Sequence, residues 1–232
     1  ARMAVVAFLA PAFFGTSAAL VSWGLVLFSL LVLAVVGVAI NRLAFKGEHS
    51  AFIMELPLYH IPNGRTIGLF VWQNTVAFLK KAGSIILVMT VILWALSSFP
   101  GPGIEKSLLA QFGRLLAPLG RLMGLDWRAM VALLSGFIAK ENVIATLGVL
   151  YGNGAEGAGL TETMTTAIVP AAGLAFLVVT MLFIPCAATM ATVRQETDSW
   201  RWTALSILML LALSFGAGIA VYQGATLLGV GV

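Results

Sequence analysis

Four stretches without a single charged residue constrain this chain more than anything else in it: Met3 to Asn41, Ala82 to Ile104, Thr163 to Val193 and Trp202 to Val232, of 39, 23, 31 and 31 residues. A helix needs about 20 apolar residues to cross the hydrocarbon core of a bilayer. The first stretch therefore holds two helical segments and each of the others one, with residues left over for breaks or re-entrant pieces. Of the 232 residues 60% are apolar and 9% charged, against roughly 25% charged in a soluble domain. So few polar side chains cannot cover a core of this size, which excludes a water-soluble monomer. Membrane β-strands would alternate with a period of two, and the Leu, Val, Ala and Ile runs here do not. The fold class is all-α: a polytopic transmembrane helical fragment with about five spans or near-spans, broken helices and two amphipathic helices.

The net charge of +4 comes from basic residues placed singly or in pairs between apolar segments. They form no face that could track a phosphate backbone, so nucleic acid is not a partner; the lipid bilayer is. A lone cysteine, Cys186, excludes an internal disulfide framework and a Cys-only metal cluster. Ala1 and Arg2 run straight into apolar sequence, which leads us to expect part of a longer protein.

Along the chain, Met3 to Phe14 is followed by a turn at Gly15-Thr16-Ser17 and a plain span over Ala18 to Ile40, with Arg42 and Lys46 snorkelling at its exit. Gly47 to Pro62 reads as a connector on the membrane surface, its geometry set by Glu55, Pro57 and Tyr59. Thr66 to Lys81 has the composition of an interfacial helix feeding a span over Ala82 to Leu96. Ile104 to Leu125, with Lys106, Arg114 and Arg121 among leucines, reads as a second surface-lying helix kinked at Pro118. A helix from Glu162 is expected to cross Pro170 and stop at Pro185, and a last one to cover Trp202 to Tyr222. The organisation is residues 1–65, N-terminal spans and connector; 66–200, a gate-like region; 201–232, a C-terminal helix. Arg42, Lys46, Arg65, Lys80 and Lys81 mark one side as cytoplasmic. Simple alternation then puts the basic 104–125 helix outside, so either it is submerged or a later segment is re-entrant.

Trp127 to Tyr151 is long enough to span, yet carries Lys140, Glu141 and Asn142 in succession near its middle. Buried charge in a bilayer costs several kcal/mol, so these residues face protein or a water-filled cavity. On a continuous helix Ser135, Asn142 and Thr146 fall near one polar stripe with Glu141 at its edge, a candidate transport or gating face; paired charges that serve packing alone are the alternative. Gly136 and Gly148 bracket the triplet and permit close crossings or local unwinding. Pro185 frees carbonyls of the preceding turn beside Cys186. If a helix resumes there, Cys186 and Met190 share a face with Thr189 alongside, and thiolate with thioether suits a soft or borderline transition ion. A cysteine that merely packs remains the bland reading. No HExxH, GxSxG or GxxxxGK[ST] pattern occurs, so the fragment itself is not expected to be an enzyme.

The segments FIMELPLYHIP (Phe52 to Pro62), WQNTVAFLKKAGSII (Trp72 to Ile86), LSGFIAKENVIATLGVLYG (Leu134 to Gly152) and FIPCAATMATVRQET (Phe183 to Thr197) resemble the bacterial ferrous iron transporter B family, in its order and over nearly the whole chain. The resemblance covers the C-terminal half of that family's membrane region. It implies a multi-pass protein of the bacterial cytoplasmic (inner) membrane, with an N-terminal domain that binds GTP and Mg, a helical linker, and two gate regions each bearing a cysteine. By that pattern Cys186 is the second gate's cysteine, a soft ligand for Fe(II) as transported substrate, Glu141 serves charge compensation or gating, and Glu55 belongs to the connector. The reading of the residues adds Met190 as a second soft ligand and Asn142, Lys140, Ser135 and Thr146 on the pathway. The phosphate loop and first gate are absent between Ala1 and Val232. Implied partners are the G domain and first gate of the same protein, a small cytoplasmic accessory protein and further copies in a homo-oligomer. The expected function is the membrane part of a GTP-regulated ferrous iron uptake transporter. Its alternatives are a gate-fold transporter of another solute, such as a nucleoside or organic anion, and a non-transporting membrane scaffold.

Overall fold

The computed structural model describes residues 2–44, 63–99, 106–138, 140, 142–151, 158–183 and 185–229. The connector with Glu55, Pro57 and Tyr59, the Pro-Gly break at 100–103, the loop at 152–157 and Glu141 lie outside the described residues. Every regular element described is helical: α1 (Arg2–Phe14), a 3-10 turn (Gly15–Ser17), α2 (Ala18–Ala44), α3 (Gly64–Ser98), α4 (Leu108–Arg121), α5 (Trp127–Ile138), α6 (Asn142–Tyr151), α7 (Ala158–Ala167), α8 (Pro170–Leu182), α9 (Ala187–Thr197) and α10 (Trp200–Leu227).

Local chemistry sets most of these limits. Gly15 takes a left-handed φ of 49°, and the chain doubles back there, because Met3 lines a groove with Ala19, Ser22, Trp23 and Val26. Asn63 opens α3 by accepting from the Arg65 amide at 3.0 Å, and Ser107 opens α4 by accepting from that of Ala110 at 3.1 Å, both side-chain N-caps. Where an interfacial helix and a separate span were expected over residues 66–96, α3 is one helix of 35 residues, about 52 Å long. The change from polar to apolar composition at Lys81 alters the surroundings of the helix without interrupting its hydrogen bonds. Pro170 does not lie inside a helix, as the sequence reading had it. Val169 is extended (ψ 148°) and Pro170 begins α8, since proline has no amide hydrogen to lose in a first turn and pushes its predecessor out of helical conformation.

Among the described residues, three helical runs are long and apolar enough to cross a bilayer: Met3–Arg42, which reverses at Gly15, Pro170–Thr197 and Trp200–Leu227; Leu87–Ser98, α5 and α6 are apolar but shorter. The expected five spans or near-spans thus comprise three full-length runs and several partial ones. Burial separates them. In the most apolar 18-residue stretch of each, 71% of the Pro170–Thr197 residues are buried, against 6% and 11% in the other two, so α8 is the central helix and α2 and α10 face outward. Small residues seat the neighbours on α8. A Cβ on Gly218 of α10 would lie 2.4 Å from Val179 Cγ2, and one on Gly173 would lie 2.9 Å from the Phe13 ring of α1. Such close crossings gain the van der Waals contact that drives helix association where lipid offers no hydrophobic difference. Outward, Leu20, Trp23 and Leu33 of α2, Trp94 of α3 and Leu208 of α10 are exposed, a surface suited to acyl chains rather than water.

Candidate functional site at the crossing of two broken helices

Residues 127–151 do not form the continuous helix expected of them. α5 ends at Ile138, Lys140 lies in a turn and α6 starts at Asn142. The two pieces fold back on each other. Ser135 and Thr146, eleven residues apart, would be about 16 Å apart along one helix, yet the Thr146 hydroxyl donates to Ser135 Oγ at 2.9 Å. Ser135 in turn donates to the carbonyl of Ala132 at 2.7 Å, with the Asn142 carbonyl 3.4 Å from the same oxygen. The polar stripe of Ser135, Asn142 and Thr146 is therefore real but arises across a helical hairpin. Gly136 permits the approach, since a Cβ there would sit 2.6 Å from Val143 Cγ2. At the open end Asp126 caps α5, accepting from the Ala129 amide at 2.9 Å, and also accepts the hydroxyl of Tyr151 from the end of α6. Both ends of the hairpin thus lie on one side. With 12 and 10 residues, its arms reach about 18 and 15 Å, half a bilayer, so neither arm is long enough to cross one alone.

The second break follows α8. Pro185 has no amide hydrogen, and α9 restarts with Cys186 as its N-cap residue (φ −59°, ψ 161°). The Cys186 carbonyl accepts from the amides of Thr189 (2.9 Å) and Met190 (3.1 Å), and its half-buried Sγ lies 3.4 Å from Thr189 Oγ1. Met190 packs into the apolar core. Among the described residues no three His, Cys, Asp or Glu side chains converge as a metal cage would require; what this break offers a cation is one thiol, a hydroxyl and backbone oxygens.

The two breaks meet. Lys140, only 4% exposed, holds its ammonium 5.0 Å from the centre of the Phe183 ring, two residues before Pro185. A cation over an aromatic face gains about 2 kcal/mol when desolvated, which offsets part of the cost of burial. The structure thus brings Lys140 of the hairpin to Phe183 before the Cys186 break and joins Ser135, Asn142 and Thr146 to one another, while Met190 turns into the core and Glu141 is not described. Sequence reasoning missed Phe183, for which no local signal exists 43 residues from Lys140. It also missed the Asp126–Tyr151 closure, although an Asp immediately before an apolar helical run is a recognisable cap.

A family profile described as "Gate: Nucleoside recognition" matches residues 79–200, and one described as "Ferrous iron transport protein B C terminus" matches residues 22–74. The Fe(2+) transporter FeoB of Staphylococcus aureus (strain MSSA476) is 32% identical over 96% of this chain and 34% of its own length. That of Methanocaldococcus jannaschii is 32% identical over 95% of this chain and 34% of its own. An Fe(2+) transport protein A/Fe(2+) transporter FeoB fusion protein of Porphyromonas gingivalis is 28% identical over 96% of this chain and 32% of its own. The chain spans about a third of the length of the curated relatives it matches. No solved structure matches. With the Gate profile covering more than half of its residues and the ferrous iron profile beside it, the chain belongs to the ferrous iron transport protein B family, as a C-terminal membrane region.

Proposed function

We propose that this chain lines part of the path by which ferrous iron crosses the bacterial inner membrane, as the second gate of a transporter whose remaining parts bind GTP and supply the first gate. The observation that carries this reading is the meeting of the two helix breaks at Lys140 and Phe183, beside Cys186. Broken helices expose carbonyls and helix ends near the membrane midplane, where transporters hold their substrates. A cysteine thiolate is a soft donor suited to Fe²⁺ rather than to Mg²⁺ or Ca²⁺. One thiol with hydroxyl and carbonyl oxygens would replace hydration water stepwise and release the ion again, as conduction requires. Lys140 is the barrier in this reading: its ammonium repels an incoming divalent cation, so passage requires Lys140 to move, and Glu141, next in the chain, is the gating carboxylate. Residues 66–200 form the gate region in this reading, and residues 47–62, with Glu55, Pro57 and Tyr59, the connector. The fragment performs no chemistry itself. GTP and Mg act in the N-terminal domain by family resemblance, and the fusion relative supports a small accessory protein as partner.

In vesicles carrying the complete transporter, Cys186→Ala is expected to cut Fe²⁺ uptake severely while insertion and GTP hydrolysis persist; Glu141→Gln is expected to slow it less. Undiminished uptake by Cys186→Ala ends the ligand assignment. The description of the Gate profile favours a second reading, an organic solute such as a nucleoside held by Lys140. Uptake of labelled nucleoside that Lys140→Met abolishes would establish it, whereas Co²⁺ binding with a thiolate absorption band lost in Cys186→Ala would exclude it.

A further inference from the structure

Helices α8 and α9 form one membrane run but differ in kind. Thr180 is the one polar side chain in α8, whereas Thr189, Thr192, Arg194, Gln195, Glu196 and Thr197 make α9 more polar than apolar. The neighbouring helix fixes the depth at which these groups lie. The rings of Phe183 and Phe215 are 6.1 Å apart, so the break after α8 sits near the middle of α10, about 22 Å along it from Trp200. At the other end of α9 the Thr197 and Thr203 hydroxyl oxygens are 3.5 Å apart. Helix α9 therefore runs beside the first half of α10, where Leu205 and Leu208 are exposed as lipid-facing residues are, and Trp200 and Trp202, also exposed, mark the interface. Thr189 and Thr192 thus lie at hydrocarbon depth and Glu196 close to the headgroups.

At helical spacing Thr189, Thr192 and Glu196 make one stripe, all three exposed, away from the face on which Met190 is buried. Cys186 heads this stripe, its Sγ 3.4 Å from Thr189 Oγ1. The Thr192 hydroxyl donates to the Ala188 carbonyl at 3.1 Å, so its proton is engaged by the helix and its oxygen can only accept from, or ligate, what lies outside. Arg194 does not join the stripe: its guanidinium pairs with Asp198 at 3.1 Å and lies 5.1 Å from the centre of the Trp200 ring. Thiol, hydroxyl oxygens and a carboxylate in succession, half a bilayer deep, are unsuited to acyl chains and suited to a hydrated cation.

We infer that Thr189, Thr192 and Glu196 line the half of the iron path between Cys186 and the membrane surface at Trp200, with Glu196 as the carboxylate at its mouth. This rests on the function proposed above and extends it to residues beyond the two helix breaks. Successive groups, each about one helical turn from the last, exchange hydration water for oxygen ligands, and Glu196 raises the local concentration of divalent cations.

The test uses the complete transporter in vesicles carrying Thr192→Cys, or Leu208→Cys as the lipid-facing control, treated with a membrane-impermeant methanethiosulfonate and read at each position by mass spectrometry. Thr192→Cys is expected to react about tenfold faster than Leu208→Cys, because the thiolate that reacts forms in water, and added Co²⁺ should slow it. Equal rates mean that protein or lipid covers the stripe, and a fast rate indifferent to Co²⁺ means a wet face off the ion path; either overturns the inference. Glu196→Gln should raise the apparent KM for Fe²⁺ uptake about threefold at low ionic strength, less at high, with Vmax unchanged, and Glu196→Asp should keep most of the wild-type value. An unchanged KM overturns the assignment of the mouth. Labelling at residue 192 reports a hydrated stripe whichever solute is carried, so its failure is distinct from undiminished uptake by Cys186→Ala, which ends the ligand assignment itself.

Discussion

The two broken helices use the same device and put it to opposite ends. Between α5 and α6 the chain reverses, so that the two form a hairpin whose ends are joined by Asp126 and Tyr151. At Pro185 it continues, and α8 with α9 makes one run of 28 residues along α10. The difference lies in what the flanking residues offer. On either side of the first break are Ser135, Gly136 and Thr146, small or hydroxylic groups that let two helices approach and hydrogen-bond across. Around the second are Val179, Leu182 and Phe183, large apolar groups packed in the core, which fix the end of α8 there. A break supplies freedom; the side chains beside it decide its direction.

Four substitutions would break or sharpen this contrast. Pro185→Ala restores the missing amide and should let α8 continue into α9, a change of up to about 3 kcal/mol in helix preference. Higher thermal stability with loss of Fe²⁺ flux and altered thiol-labelling of Cys186 is the expected result, and full flux through a stabilised Pro185→Ala protein would remove the second break from the mechanism. At the first break, Gly136→Leu forces bulk against Val143 and should cost about 1–3 kcal/mol, read as a lower midpoint of thermal unfolding; a neutral effect would mean that the arms are not in contact. The smallest effect is expected from Ser135→Ala and Thr146→Val, about 1 kcal/mol each. In a double-mutant cycle the pair should couple by roughly 0.5 kcal/mol, whereas zero coupling would suit a continuous helix, on which residues eleven apart do not meet.

Much of the fold was legible from residue order. The charge-free runs gave the long apolar helices, Gly15 the reversal after α1, Pro185 the second break. Where the reading failed, it joined or divided elements by composition alone. The polar half of α3 was separated from its apolar half, although nothing between Gly64 and Ser98 interrupts a helix; Pro170 was allowed inside a helix that it begins. At the site, periodicity puts Ser135, Asn142 and Thr146 on one stripe of a single helix, whereas the hydrogen bonds that join them run across a hairpin. The hairpin that unites them depends on contacts between residues far apart along the chain, and periodicity carries no information about those.

The sequence by itself therefore determined the solvent and the elements: with so few charges, lipid must meet most of the surface, and uncharged runs of this length must be helical to satisfy their own backbone. Only the tertiary structure decided that Trp127–Tyr151 turns back halfway, that α8 is central and that Lys140 rests on Phe183. These outcomes depend on whether two surfaces fit, as at Gly136 against Val143 and Gly218 against Val179, and fit is a property of pairs of surfaces rather than of either segment alone.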